Sequence, residues 1–377
     1  MKRSILLKLL VSATLLFTTL FALPISNARF DQSVSVSAEG AVVMERSTGT
    51  VLYGKNAHEQ LPMASTTKIM TALVALERCE LDEKVTVSHE AVGAEGSSMY
   101  LMPQEVLLMS DLLYGLMLAS GNDAAIAIAM HVAGTTEAFV ELMNQKALEL
   151  GLLNTHFVTP NGLHDDDHYT TAYDLCVIAC AAMENETFRQ IVGTTYYTTQ
   201  SGNTIRYFKN KNKLLWEFEG ATGLKTGYTS VAGKCLAFSA ERNDMEIVGV
   251  VLKSGDIFGE SASLLNYAFN NYHMVSLISR DEPVSFVKLE KCDKKLLALG
   301  VLTDIMVPVE VSEEAHIKTR VLAPRVIGQT VNKGDPIGTL ELYDGSRLIY
   351  SVPLVAMNDA RMLTFWDYLS FVVKGIS

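Results

Sequence analysis

The sequence predicts an α+β fold: one antiparallel sheet packed with a helical region, then a small all-β domain and a C-terminal amphipathic helix. Three observations carry that prediction. Strand-like runs come first, helical patterns fill the middle and strand-like runs return late, the order of one antiparallel sheet backed by helices. After about Asp281 the helical periodicity stops, and short strand-like runs are separated by Gly334-Asp335-Pro336 and Asp344-Gly345. From Asn358 to Ser377, Met362, Phe365, Trp366, Leu369, Val372, Val373 and Ile376 recur at three- and four-residue steps, one stripe of a helix. The divisions expected are an export signal over 1–28, a main domain over 36–275, a β-rich domain over 280–356 and a terminal helix over 358–377.

The elements follow in order. Ala41 to Gly54 reads as a β-hairpin around Arg46-Ser47-Thr48-Gly49. Pro62 precedes a helical pattern of Ile69, Met70, Leu73, Val74 and Leu76. Ser110 is placed as the N-cap of a helix from Asp111 to Leu118, and Asn122 to Val132 is Ala-rich and apolar. Thr136 to Leu150 is a further helix, stopped by Gly151. Asn154 to Tyr169 is loop-like, with Pro160-Asn161-Gly162 as a turn, and a helix follows from Ala172 to Met183. Strands are expected at Gly193–Thr199, Thr204–Phe208, Cys235–Ala240 and Ile247–Lys253, then a helix near Ala262–Asn270. In the β-rich part they are expected at Val307–Val311, Ile317–Val321, Thr339–Tyr343 and Leu348–Val352.

Composition narrows the function. The chain has 377 residues, 49% hydrophobic and 19% charged, with a formal charge of −11. Intrinsic disorder is excluded. With no long basic run, nonspecific capture of nucleic-acid backbones is excluded too. Five cysteines are too few for a disulfide-stapled scaffold. Lys2 and Arg3, an apolar run from Leu9 to Leu23 and Ser26-Asn27-Ala28 together read as a cleaved export signal, the run falling short of the ~20 residues of a membrane span. At the other end Asp367 interrupts the apolar stripe, which favours a helix lying at the membrane interface over a span; docking on the protein's own surface is the alternative.

Three short motifs carry the chemistry. Ser65-Thr66-Thr67-Lys68 opens the first helix, and a three-residue offset puts Ser65 and Lys68 on one face. A serine hydroxyl needs a base to take its proton, and an uncharged lysine amine can serve. Lowering a lysine from ~10.4 to near 7 takes roughly 4 kcal/mol, which burial and a second nearby cation could supply. Lys225, in Lys225-Thr226-Gly227, is a candidate for that cation. Ser120-Gly121-Asn122 stands at the exit of a short helix. Each motif alone is weak: Ser285 and Lys288 repeat the first in a β-patterned stretch, and Ser201-Gly202-Asn203 repeats the second as a hairpin turn. Order and setting single out the other set.

Ser-x-x-Lys, Ser-x-Asn and Lys-Thr-Gly in this order resemble the penicillin-recognising serine enzymes, and within them the low-molecular-mass D-alanyl-D-alanine carboxypeptidases. Met63 to Lys68, Ala119 to Ala125, Pro160 to Leu163, Thr170 to Leu175 and Gly223 to Thr229 support the likeness, which spans about 36 to 275 and extends loosely to both later segments. The resemblance implies that Ser65 attacks the peptide carbonyl between two D-alanines of a peptidoglycan stem peptide. Lys68 would be the base, Ser120 a proton relay and Asn122 a ligand of the substrate amide. Lys225 and Thr226 would hold the terminal carboxylate, and the backbone N–H groups of Ser65 and Tyr228 would form the oxyanion hole. β-Lactams would acylate Ser65. Gly227 is expected to be small so that substrate can lie along the strand edge. Neither a metal nor an organic cofactor is required. Where relatives often carry Asp, two residues ahead of Leu224, this chain has Thr222.

Other readings are weaker. His164, Asp165, Asp166, Asp167 and His168 suggest a metal-assisted hydrolase, but without His-Glu-x-x-His they read as a solvated loop. Cys176 and Cys180, four apart on a helix, read as buried thiols. A serine β-lactamase would need a Glu three residues before Leu153; Leu150 stands there and Glu149 is one position out of register. A noncatalytic wall-binding or β-lactam-sensing module has no need of Ser65, Lys68, Ser120 and Lys225 together.

Overall fold

The computed structural model describes residues 34–311, 317–344 and 347–374. The expected export signal lies outside them. The chain forms two compact units, one over 27–282 with 303–316, the other over 283–302 with 317–377.

The first unit is built on a five-stranded antiparallel sheet. β1 (Gly40–Glu45) and β2 (Thr50–Lys55) form the expected hairpin, turned by Gly49 at φ +65°. Further strands precede the remaining sheet members: β3 (Lys84–Thr86) with β4 (Val106–Leu108), and β5 (Tyr196–Ser201) with β6 (Thr204–Lys209), each an antiparallel pair. The Ser201-Gly202-Asn203 repeat is therefore the hairpin turn expected. β7 (Ala221–Thr229), β8 (Gly233–Arg242) and β9 (Met245–Ser254) complete the sheet in the order β2-β1-β9-β8-β7. Asn243 and Asp244, at φ +50° and +61°, make the tight β8–β9 turn.

Alternation along the strands sends side chains to two cores. Val42, Met44, Ala237, Val248 and Val250 face one cluster with the helices, while Val43, Leu236, Phe238, Ile247 and Val251 face another. In the first cluster α1 (Lys68–Arg78) is continuous with a 3₁₀ turn over Ala64–Thr67. α2 (Met109–Tyr114) runs into a π-helical turn over Gly115–Ala119, and α3 (Asn122–Ala133) and α4 (Thr136–Glu149) follow. α5 (Ala172–Met183) and α6 (Glu186–Gly193) close this side; α7 (Leu214–Glu217) is a single turn. α8 (Ile257–Asn271) covers the opposite face through Leu264 and Leu265.

Caps explain several boundaries. Thr135, Thr171, Asn185 and Asp256 each accept the backbone N–H three residues on. Ser110 does not cap α2: the helix starts one residue earlier, with extended Leu108 before it and no side-chain cap. The β5 strand begins at Tyr196, not Gly193, because α6 runs through Gly193 and the Thr194 N–H still bonds the Ile191 carbonyl.

β10 (Tyr272–Ile278) also belongs to the first unit. In the second, β11 (Ser285–Leu289) pairs with β12 (Leu296–Gly300), so Ser285 and Lys288 lie on a strand as expected. β13 (Ile305–Glu310), grouped by sequence with the later strands, instead pairs with β10 in the first unit. β14 (Ile317–Leu322), β15 (Val326–Ile327), β16 (Pro336–Asp344) and β17 (Arg347–Ala356) join β11 and β12 in a six-stranded sheet. α9 (Phe365–Lys374) ends the described chain. Arg361 holds Asp367 with two hydrogen bonds at 2.7 and 2.9 Å, and Asp367 also accepts from Thr364, so this acid fastens the start of the helix. No single helix among the described residues is long and apolar enough to cross a membrane.

Candidate active site

Ser65 sits in the 3₁₀ turn, and Ala64 before it holds φ +48°, a conformation that costs a non-glycine residue ~1–2 kcal/mol. The turn swings the chain into α1, whose first residue, Lys68, is completely buried. Lys68 Nζ lies 2.9 Å from Ser65 Oγ, 2.7 Å from Asn122 Oδ1 and 2.5 Å from the Asn161 carbonyl oxygen. The Asn122 amide is oriented by its Nδ2, which donates to the Glu95 carbonyl, so Oδ1 must face the lysine. Neither Asn122 Oδ1 nor the Asn161 carbonyl can donate. A neutral amine with two N–H bonds gives both to these oxygens, and its lone pair is left pointing at Ser65 Oγ. The arrangement can take a proton from the hydroxyl.

Electrostatics favour that state. Burial, then the charge of Lys225, then that of Lys211, hold Lys68 well below the usual lysine range, against a smaller opposing pull from Asp123. Lys225, buried on β7, donates to the Thr226 carbonyl at 2.9 Å. Burial first, and Lys211 second, push it down to about 7. The second cation expected from sequence is thus present. Lys211 is one that sequence reasoning missed: it follows β6 and donates to Ser97 Oγ at 2.9 Å, and the Ser97 carbonyl accepts the Asn122 N–H at 2.7 Å. Nothing in its local sequence marks it. The sequence marks Asn161 as a turn residue in a stretch that supports the resemblance, but not the role of its carbonyl; that role depends on Gly162 at φ +82°, where a Cβ would run into the Ala64 carbonyl and come within 2.8 Å of Thr67 Oγ1.

Ser120 ends the π-helical turn at φ +63°, buried two residues before Asn122. Thr226 is half-buried, and Tyr228 is 68% exposed. All three β7 residues of the Lys-Thr-Gly motif lie on the edge strand of the sheet, whose outer backbone groups can receive an extended chain. Gly227 has a further reason to be small. A Cβ there would meet the Met63 carbonyl and the Ser65 amide nitrogen at 3.1 Å, so the glycine lets β7 pack on the turn that carries Ser65. Thr222, in place of the relatives' Asp, shares a 2.7 Å hydrogen bond with Ser239.

Two features set aside by sequence come out differently. The stretch from His164 is not uniformly solvated: His168 is 3% exposed. Its Nδ1 accepts the Val158 N–H at 2.9 Å, so Nε2 carries the proton and donates to Thr67 Oγ1 at 2.8 Å. Burial pushes its pKa down to about 4. Cys176 is buried as expected, but Cys180 is only partly so. Glu149 pairs with Lys146 at 2.9 Å at the exposed end of α4.

A helical cluster on an antiparallel sheet, with a Ser–Lys couple beside the edge strand, defines a serine acyl-transfer class. The chain belongs to the D-alanyl-D-alanine carboxypeptidase family, which matches residues 27–255; the penicillin-binding protein 5 C-terminal domain matches 272–361. It is 35% identical over 343 residues to the D-alanyl-D-alanine carboxypeptidase DacF of Bacillus subtilis, covering 88% of each chain. It is 39% identical over 256 residues to the D-alanyl-D-alanine carboxypeptidase of Streptomyces sp. K15, covering 62% of this chain and 88% of the other. Among solved structures, penicillin-binding protein 5 of Haemophilus influenzae superposes with a TM-score of 0.73 at 29% identity, covering 87% of this chain and 98% of that one.

Proposed function

We propose that this chain is a serine D-Ala-D-Ala carboxypeptidase that removes the terminal D-alanine from peptidoglycan stem pentapeptides through an acyl-enzyme. The observation that carries the reading is the buried Lys68 amine 2.9 Å from Ser65 Oγ, with both its N–H bonds directed elsewhere. Ser65 Oγ attacks the carbonyl of the penultimate D-alanine as its proton passes to Lys68. Ser120 relays that proton to the departing D-alanine amine. Asn122 binds the substrate amide. Lys225, as a cation, and Thr226, as a hydroxyl donor, hold the terminal carboxylate. The Ser65 and Tyr228 N–H groups stabilise the tetrahedral oxyanion. Gly227 keeps those two elements in contact. Water then releases the acyl group.

Residues 36–275 carry this chemistry. A β-lactam presents a similar carbonyl and carboxylate and acylates Ser65, with slow release. The N-terminal basic-apolar segment exports the chain, and α9 attaches it to the membrane surface: Phe365 and Trp366 are 72% and 73% exposed, aromatic groups suited to the interface. D-alanine release from a synthetic peptide ending in D-Ala-D-Ala is the test, comparing the mature chain with Ser65→Ala. Release and penicillin labelling by the first alone are expected. Release by the variant would overturn the assignment.

A further inference from the structure

Away from Ser65, three groups of different chemistry meet. Cys79 is the C-cap of α1, Glu83 lies in the turn before β3, and His131 is in the last turn of α3. One ligand atom from each, a thiol sulfur, a carboxylate oxygen and an imidazole nitrogen, lie within 4.8 Å of one another. We infer that Cys79, Glu83 and His131 form a site for a borderline divalent cation, Zn²⁺ in the first place, which rivets the far ends of the two helices whose opposite ends carry Lys68 and Asn122.

The donor set and its support both fit. Thiolate, imidazole and carboxylate suit a tetrahedral Zn²⁺ that keeps its fourth position for water, and oxygen-loving ions such as Mg²⁺ are disfavoured by the sulfur. Ligands at ~2.0–2.3 Å from such an ion stand roughly 3.3–3.6 Å apart. His131 Nε2 and Glu83 Oε2, 2.9 Å apart, need to part by only a few tenths of an ångström, and the sulfur lies within 4.8 Å of both. Glu83 is oriented for the task. Its Oε1 accepts the Glu80 N–H at 2.7 Å, its carbonyl accepts the Met109 N–H at 2.9 Å, and Oε2 is left turned to His131. Binding breaks the His131–Glu83 hydrogen bond: the imidazole changes tautomer, its Nε2 proton passing to solvent while Nδ1 takes one up, so that the freed Nε2 lone pair and Oε2 join the metal, and the Cys79 thiol proton is released to solvent as the S–metal bond forms. Thiolate and carboxylate then balance the dication's charge.

The full mature chain, stripped with chelator, would be loaded with Co²⁺ as a spectroscopic probe and separately with Zn²⁺. The expected result is one equivalent of Co²⁺ giving a thiolate-to-metal charge-transfer band, a Tm that rises with Zn²⁺ concentration, and alkylation of Cys79 blocked by Zn²⁺ in the unmutated chain. Cys79→Ser loses the band, and Cys180→Ser keeps it. Absence of the band, its persistence in Cys79→Ser, or unaltered alkylation of Cys79 under saturating Zn²⁺ would overturn the site. Peptidase activity is not the readout, so the outcome is independent of the Ser65 assignment.

Discussion

His168 offers a sharp test of how the site is held together. Its ring clips the loop before Pro160 to Thr67, the residue next to Lys68, and does so as the neutral Nε2–H tautomer. Its folded pKa of about 4 lies below the ordinary 6.5. Desolvation is the main cause; Asp165 opposes it, while His156, His164 and Lys68 add to it. Because the folded pKa is lowered, the unfolded chain binds the extra proton between pH 6.5 and about 4. Stability is therefore unaffected above that window and falls through it, by about 3 kcal/mol in full. Between about pH 7 and about pH 4.5 the loss is roughly 2.5 kcal/mol. His168→Asn keeps an acceptor near the place of Nδ1 but forfeits the Thr67 bond, about 1 kcal/mol at pH 7. It should also lose the titration. Urea unfolding of the first unit, followed at both pH values, should show the unmutated chain losing roughly 2.5 kcal/mol more than the variant. Equal losses, or a His168 ring resonance that titrates near 6.5, would refute the reasoning.

Lys211 lowers both lysines of the site, so Lys211→Met should move the whole pH profile of acylation upward. Lys68 must lose its proton to act and Lys225 must keep one to bind carboxylate, and both then titrate higher; an unmoved profile from stopped-flow acylation would contradict the electrostatic account. Gly162→Ala forces a Cβ against the Ala64 carbonyl at a φ of +82°, which should cost at least about 2 kcal/mol and displace the Asn161 carbonyl from Lys68. Acylation and Tm should fall together there. Gly202→Ala, at φ +55° but with open space around it, should lower Tm slightly and leave acylation intact; matching losses in the two variants would show that the contact with Ala64 is unimportant.

Much of this was legible in the sequence, for reasons of short range. Period-2 and period-3.6 hydrophobicity locate the β1–β2 hairpin, α3, α4, α5, β8 and β9, since each buries one face of its own local pattern. The helical offset of Ser65 and Lys68 likewise holds within one turn. Boundaries set by capping were less legible: α2 starts without the Ser110 cap, and α6 runs on through Gly193. What required the tertiary structure was contact between distant segments. Asn161 reaches Lys68 across 93 residues, and the Ser97 hydroxyl receives Lys211 across 114. Gly227 also packs on the turn before α1, and β13 leaves its sequence neighbours to pair with β10. Periodicity reports which face of an element is apolar, and motifs report which groups can react. Burial that makes a lysine a base, and the carbonyl that aims its lone pair, arise only when chain segments far apart in sequence exclude water together.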